Sequence, residues 1–277
     1  MGSLDGPAAF GQGGWARIAG KALNGAVRFW FVVAVAGQLM FAAYVVGFYG
    51  RAAAGGKFET WNKVLPHGFV PGDTIGNLIV GLHLLFSTFV IVGGAVQLLP
   101  VVRSRWPRLH RWNGRVYLTA ALLLSVGGLI MVWTRGTVGD LSQHIAISIN
   151  AVLIMACGAM ALRHALARRF DLHRRWALRL FLVVSGVWFF RIGLMAWLVI
   201  NQGPRGFDPK SFQGPFLTFL GFAQYLLPLL VLELYLRAQA SRLPANRLAM
   251  AAGLTLLTLL AAVGIGAATM LMWLPHM

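Results

Sequence analysis

The sequence predicts an all-α polytopic membrane protein with seven transmembrane helices around a four-helix core. Hydrophobic residues make up 58% of the 277 and charged residues only 11%, whereas soluble domains are about one-quarter charged. Seven apolar stretches are each long enough, at roughly 20 residues, to cross about 30 Å of hydrocarbon. Histidine motifs recur at matched spacing in the central stretches, which indicates an internal two-helix repeat.

The apolar stretches divide the chain into a lead-in and one transmembrane domain. The seven spans are expected at 28–49, 76–100, 112–134, 142–162, 177–200, 215–236 and 248–273. Residues 1–27 are interpreted as a cytosolic lead-in with a flexible GQGG linker, and 28–273 as the transmembrane domain, with its core helices at about 76–200. The first span also imitates a cleaved signal peptide. Its apolar run exceeds the usual length of about 7 to 15 residues, so we expect it to be kept.

The distribution of cations predicts the orientation. Loops on one side of the seven spans carry 17 of the 24 Lys and Arg residues, and loops on the other side carry six. Cations are retained on the cytoplasmic side, so the N-terminus is expected inside and the C-terminus outside, most simply in a bacterial inner membrane. The net charge of +17 is then explained by the cations that retain loops on the cytoplasmic side, and no nucleic-acid partner is predicted.

Four histidines occupy matched positions in the repeat. His83 corresponds to His144 with an offset of 61 residues, and His110 to His173 with an offset of 63. The predicted topology places the first pair in an outer layer and the second pair in an inner layer, in the first turns of two helices that start from the cytoplasm. A histidine inside an apolar helix is costly and is therefore a functional candidate.

Two histidines at one depth on neighbouring helices suit haem ligation. Haem needs a neutral imidazole on each side of the iron, a group that orients each ring, and small residues beside the macrocycle. Serines one turn after two of the histidines and several glycines fit those needs: Ser87, Ser148, Gly93, Gly94, Gly114 and Gly158. Zinc or copper would need three or four ligands at one point, which two separate layers disfavour. Anchoring at the headgroups explains the Arg-flanked inner pair equally well, and a hydrogen bond between helices is the alternative for His83.

These motifs resemble known families. LHRWNGRVY and LHRRW resemble the bacterial integral-membrane family called domain of unknown function 2306, over approximately residues 30–240. More distantly, one histidine on each of four consecutive helices resembles the cytochrome b561 group. The LHxWxG pattern of that group is matched by Leu109, His110, Trp112 and Gly114. The resemblance implies an outer haem b ligated by His83 and His144 and an inner haem b ligated by His110 and His173. A seventh span and an Arg-rich inner pair depart from the group.

The positions of further charged and aromatic residues indicate candidate roles for them. Arg191 needs an acceptor, which an outer haem propionate or an anionic substrate would supply; backbone carbonyls, or snorkelling past Trp197, are the alternatives. Tyr117 lies on the helical face of His110 and suits either a haem or quinone site or an interfacial aromatic belt. Pairing with Arg237 one turn later explains Glu233. The remaining histidines, His67, His164 and His276, are interpreted as loop or terminal residues.

The leading functional hypothesis is a membrane cytochrome, and therefore a candidate transmembrane oxidoreductase, that carries electrons across the bilayer between one or two haem b groups. Quinone or another small reductant is the expected donor, and a homo-oligomer or a membrane partner subunit is compatible with the sequence. The alternatives are a histidine-based proton-linked transporter or sensor, and an accessory membrane subunit without haem. Against transport, Gly- or Pro-broken helices do not occur at corresponding positions of both halves.

Overall fold

A computed structural model describes residues 8–136 and 138–277, with side chains from residue 14 onward. The ten α-helices of the described part are α1 Ala8–Tyr44, α2 Arg51–Ala54, α3 Thr74–Leu98, α4 Pro100–Arg105, α5 Pro107–Thr134, α6 Leu141–Leu166, α7 Phe170–Val184, α8 Gly186–Asn201, α9 Pro215–Ala240 and α10 Pro244–Ala268. π-Helical turns, Val45–Gly50 and Thr269–Trp273, follow α1 and α10, and 3-10 turns occupy Phe58–Lys63 and Leu274–His276. Extended pairing in the described residues is confined to one bridge between Asp208 and Gln213.

The structure confirms an all-α polytopic membrane architecture. Six described helical segments are long and apolar enough to span a bilayer, and the bent pair α7–α8 makes up to seven spans if it is counted as one. Large apolar side chains such as Leu78, Leu122 and Leu256 stay exposed along the helices. A soluble protein would bury such surfaces, so these faces suit contact with lipid.

Local chemistry explains where the helices begin. The carboxylate of Asp73 accepts from the Gly76 backbone N–H at the start of α3, and Asp140 accepts from Ser142 N–H at the start of α6. Both are helix N-caps that satisfy free backbone donors. Pro107, Pro215 and Pro244 open α5, α9 and α10, where proline sacrifices no helical hydrogen bond.

The N-terminal lead-in differs from the prediction. Residues 1–7 lie outside the described residues, but α1 begins by Ala8, so the GQGG piece lies within a helix and the linker interpretation is wrong. The physical reason is tertiary. Leu23 and Ala26 of α1 are buried against Ala251 and Leu254 of α10, which stabilises helix on the N-terminal side of the first apolar run.

The internal repeat appears as a repeated helix pairing. α3 packs along α5, α6 packs along α7, and α5 joins the two pairs by packing on α6. α1 packs along α10, while α8 contacts both α9 and α10. The first, sixth and seventh spans thus pack around the repeated core.

The fifth predicted span is broken rather than straight. α7 and α8 meet at Ser185 with a bend of 54°, and Ser–Gly pairs such as Ser185–Gly186 are common sites of helix kinks. The Ser185 hydroxyl donates to the Phe181 carbonyl and accepts from the Gln38 side chain of α1 at 2.9 Å. α5, the counterpart of α7 in the first half, runs unbroken over Pro107–Thr134. The break is therefore confined to the second half of the repeat.

Candidate functional site

The histidine pair at the Arg-rich end, called here the basic end, lies at equivalent positions of two helices. His110 is the fourth residue of α5 and His173 the fourth residue of α7. Both helices pack on α6, which lies between them in the chain. The two histidines therefore lie at the same end of the bundle, as the predicted inner layer requires. Their pairing stays a prediction.

The two rings are held by different hydrogen bonds. His173 Nδ1 lies 2.9 Å from the backbone carbonyl of Ala161 on α6, so Nδ1 carries the proton and donates it. This bond leaves His173 Nε2 as a free acceptor, which is the arrangement that orients histidine ligands in metal and haem sites.

His110 belongs to a side-chain amide network. Asn113 Nδ2 donates to the Gly93 carbonyl and to Gln97 Oε1, each at 2.8 Å. This orients Gln97 so that its Nε2 faces His110 Nε2 at 3.3 Å. His110 Nδ1 is buried without a partner. His110 is thus less well prepared than His173 to offer Nε2 to a ligand.

Cationic grooves lie beside both histidines. A shallow groove of about 560 Å³ is lined by residues 105–109, immediately before His110. A second, of about 390 Å³, is lined by residues 168–172, immediately before His173. Arg105 and Arg108 line the first groove, and Arg168 and Arg169 line the second together with Asp171. An anionic group beside the histidines would find guanidinium partners in both grooves, but in the second it would also meet the Asp171 carboxylate.

The two rings of the pair at the opposite end contact different residues of α5. His83 is the tenth residue of α3 and faces Gly127 and Gly128 of α5. His144 is the fourth residue of α6, and its ring packs edge-to-face on Trp133 with centroids 5.7 Å apart. The two contact points on α5 are about 8 Å apart along the helix and point in different directions. The shared outer layer of His83 and His144 stays a prediction.

The predicted orienting serines have other partners. Ser87 donates to the Leu84 carbonyl and Ser148 to the His144 carbonyl, each at 2.7 Å. Ser148 also accepts from Trp133 Nε1 at 3.1 Å. The interpretation of these hydroxyls as groups that orient the imidazole rings is wrong, because a helical serine reaches the carbonyl of the preceding turn more easily.

The glycines predicted to admit a macrocycle admit protein side chains instead. A Cβ at Gly94 would lie within 3.3 Å of Tyr117 and Phe181, and one at Gly114 would lie 3.0 Å from Gln97. Gly93 is similarly covered by Asn113. These glycines allow close packing of the helices.

Tyr117 lies in the centre of the four-helix core. It packs with Val90, Cys157, Leu180 and Tyr225 in one buried cluster, and its hydroxyl has no partner. The interfacial-belt alternative for Tyr117 is therefore excluded, whereas a role beside a haem or quinone stays a prediction.

Arg191 lies against α1 rather than against the histidines. Its guanidinium carbon is 5.0 Å above the Phe41 ring, and Nη1 donates to the Val187 carbonyl at 3.4 Å. Trp197 is occupied elsewhere, since its Nε1 donates to the Arg205 carbonyl at 2.8 Å. A backbone carbonyl is thus one acceptor, as the sequence alternative proposed, but the contact is long.

Comparison with known proteins adds one match. Residues 80–208 match the family model DUF2306, described as a predicted membrane protein. No curated protein and no solved structure matches the chain. The match confirms the resemblance to domain of unknown function 2306.

The DUF2306 segment contains all four repeated histidines and Arg191. It extends from within α3 to the loop after α8, so it includes most of the two-helix repeat. α1 and α10 lie outside the DUF2306 segment. α1 carries the Phe41 ring that contacts Arg191, and α10 packs on α8.

Two ion pairs outside the histidine pattern join the DUF2306 segment to residues that flank it. Arg135 pairs with Asp73 at the end opposite the basic end. Arg179 of α7 pairs with Glu233 of α9 at 2.5 Å. The expected Glu233–Arg237 pairing is wrong, because Glu233 reaches across to α7. Charge spacing along one helix could not have revealed either partner.

The unmatched histidines also differ partly from expectation. His67 lies in a loop, as predicted, with a positive φ of 55°. His164, by contrast, is a buried residue of the last turn of α6, one turn after Ala161, and its Nδ1 has no partner. His276 packs edge-to-face on Phe48 at 5.6 Å. In the described part of the chain, no three His, Cys, Asp or Glu side chains are grouped so that they could hold a metal ion.

Proposed function

We propose that this protein is a membrane b-type haem protein in which His110 and His173 hold a haem at the basic end, on the cytoplasmic side. The observation that carries the proposal is the hydrogen bond from His173 Nδ1 to the Ala161 carbonyl, which leaves Nε2 free at the position in α7 that His110 holds in α5. A neutral, oriented imidazole from each of two helices is the donor set that haem iron uses.

The surrounding residues suit the other parts of a haem. His110 Nδ1 is buried without an acceptor, and a ligand that reorients the ring would relieve that cost of about 1–3 kcal/mol. Propionates carry negative charge, and the arginines of the two grooves would pair with them. For His110 Nε2 to bind the haem iron, the contact between Gln97 Nε2 and His110 Nε2 would have to break.

Haem supplies one-electron chemistry when it is bound. The chain contributes orientation through Ala161 and the Gln97–Asn113 network, and exclusion of water through the buried cluster around Tyr117. A quinol or another small reductant within the bilayer is the proposed donor, and a partner subunit or second copy is compatible with the proposal.

Transfer across the whole bilayer needs a second haem, for which His83 and His144 are the candidates. Their rings contact α5 at different levels, so a second haem would require the α3, α5 and α6 helices to move apart. The proposal therefore rests on His110 and His173. Binding of a second haem by His83 and His144 is an addition that can fail without affecting the first site.

The test is an optical spectrum of detergent-purified protein, expressed with added haem precursor and recorded oxidised and dithionite-reduced. We expect a Soret band and a sharp reduced α band that are lost in His110→Ala and in His173→Ala. His67→Asn, which keeps a residue suited to positive φ, is the matched control and keeps both bands.

His83→Ala and His144→Ala separate one haem from two. Loss of about half of the haem absorbance in each would indicate two sites, and unchanged absorbance would indicate one. Colourless wild-type protein after expression with adequate haem would overturn the proposal and favour the proton-linked or accessory alternatives.

A further inference from the structure

A group of buried hydrogen-bond donors without acceptors lies near Arg191, towards the end of the bundle opposite the basic end. Tyr44, Trp188 and Trp273 are at most 3% exposed, and the Tyr44 hydroxyl and both indole Nε1 atoms have no partner. All three belong to one buried cluster. Native proteins leave few buried polar groups unpaired, and each such group calls for an explanation.

Arg191 lies beside this cluster. Its charge interacts with the phenols of Tyr44 and Tyr49, and its guanidinium lies over the Phe41 ring at 5.0 Å. Phe41 and Tyr44 both stack near Trp273, at centroid distances of 5.4 and 6.5 Å. We call Phe41, Tyr44, Tyr49, Trp188, Arg191 and Trp273 the Arg191 cluster.

The Arg191 cluster lacks a charged acceptor in the described residues. The described ion pairs are Arg135–Asp73 and Arg179–Glu233, so no described carboxylate pairs with Arg191. Its one hydrogen bond is the 3.4 Å contact to a carbonyl of its own helix. A guanidinium at membrane depth is stabilised by a partner with an opposite charge, and the aromatic groups around it cannot supply that charge.

The backbone around the Arg191 cluster is unusual in two helices at once. α1 passes into a π-helical turn at Val45–Gly50 directly after Tyr44, and α10 passes into another at Thr269–Trp273 that ends on Trp273. π-Turns often occur at functional sites. The loop from α1 closes over this region, since Trp61 Nε1 donates to the Tyr49 carbonyl at 3.1 Å and Arg51 donates to the Met277 carbonyl at 2.6 Å.

We propose that the Arg191 cluster is a binding site for an oxyanion, either a carboxylate or a phosphate ester. Charge decides the ligand class, because a neutral carbonyl compound would accept from the phenol and indoles but would leave the guanidinium without a counter-charge. The head group of an anionic lipid and a small soluble acid share this chemistry. The site is independent of haem, because it is built from α1, α8 and α10 and includes none of the four paired histidines.

The experiment measures thermal unfolding by tryptophan fluorescence in a neutral detergent. The protein is titrated with short-chain phosphatidylglycerol, with acetate and with inorganic phosphate, while short-chain phosphatidylcholine serves as the uncharged-headgroup comparison. We expect a saturable rise in unfolding temperature with an anionic probe. Whether the lipid or a soluble anion produces the rise identifies the source.

The variants assign the response to Arg191. Arg191→Gln abolishes the rise, and Tyr44→Phe weakens binding about tenfold by removing one donor to a charged group. Arg205→Gln is the control, because Arg205 is an exposed cation of the following loop whose side chain has no described bond. Tyr44→Phe keeps the test decisive if Arg191→Gln fails to fold, since the hydroxyl that it removes has no partner.

Three results would overturn the proposal. One is the lack of a saturable response to any anion. The second is an equal response in wild type and Tyr44→Phe, which would indicate surface binding elsewhere. The third is loss of the response in Arg205→Gln to the same extent as in Tyr44→Phe.

Discussion

Arg135 at the end of α5 forms a hydrogen-bonded ion pair with Asp73 at the start of α3, 62 residues earlier in the chain. Its Nε and Nη2 lie 3.2 and 2.5 Å from one Asp73 carboxylate oxygen, and Nη1 donates to the carbonyls of His67 and Gly68. Nη2 also donates to Asn77 at 2.8 Å. One guanidinium therefore fixes the loop before α3 to the end of its partner helix.

Breaking this contact should loosen the loop. Arg135→Gln and Asp73→Asn are each expected to lower the unfolding temperature in detergent and to expose residues 64–72 to proteolysis. The double variant should be no worse than the more damaging single one, because both remove the same interaction. Additive losses would contradict a direct coupling.

The same pair predicts a pH dependence. Hydrogen bonding by Arg135, together with the Gly76 backbone N–H, holds the pKa of Asp73 below its usual value. A lowered folded-state pKa gives stabilisation that is complete above the unfolded value of about 3.9 and is lost as pH falls further, through the folded pKa. The stability difference between wild type and Asp73→Asn should thus be constant near neutral pH and shrink in acid. A difference that grows as pH falls would show the opposite sign and refute this account.

Two partly buried histidines from opposite ends, His83 and His173, should respond differently to an apolar replacement. His83→Leu removes an Nδ1 without a partner, so haem-free protein should keep its stability or gain some. His173→Leu removes the bond to the Ala161 carbonyl and should cost about 1 kcal/mol. Chemical unfolding of haem-free protein measures both, and a marked loss in His83→Leu would reveal a partner at that ring.

The ion pair between α7 and α9 gives a test with an internal control. Glu233→Gln and Arg179→Gln should each destabilise the protein, by less than about 1 kcal/mol because the pair is partly exposed. Arg179 also stacks on Trp176 at 4.8 Å, so its variant should be the more damaging. Arg237→Gln should be neutral, and an effect equal to that of Glu233→Gln would restore the pairing expected from the sequence.

Two glycines of α10 should differ sharply. A Cβ at Gly264 would overlap the backbone carbonyl of Ile192 on α8, whereas one at Gly253 meets nothing within 4 Å. Gly264→Ala should therefore push α10 from α8 at a cost of about 1–3 kcal/mol, and Gly253→Ala should be neutral or stabilising because alanine favours helix. Thermal unfolding of the two variants side by side checks this, and equal behaviour would mean that α8 and α10 do not pack as described.

The sequence by itself determined the spans and the repeat. Bilayer thickness limits the length of an apolar helix, so hydropathy predicted seven spans, and the structure agrees when α7 and α8 count as one. The repeated LHR motif also predicted the matched first-turn positions of His110 and His173, because position along a helix follows directly from residue count.

Only the tertiary structure decided which side chains meet. Contacts between helices depend on rotation about each axis, and helices that are apolar on nearly every face carry little information about that rotation. His83 and His144 thus contact different parts of α5, Glu233 reaches Arg179, and Arg191 lies among the aromatic side chains of α1 and α10. Each of these partners lies on another helix, and no spacing within one span could have identified it.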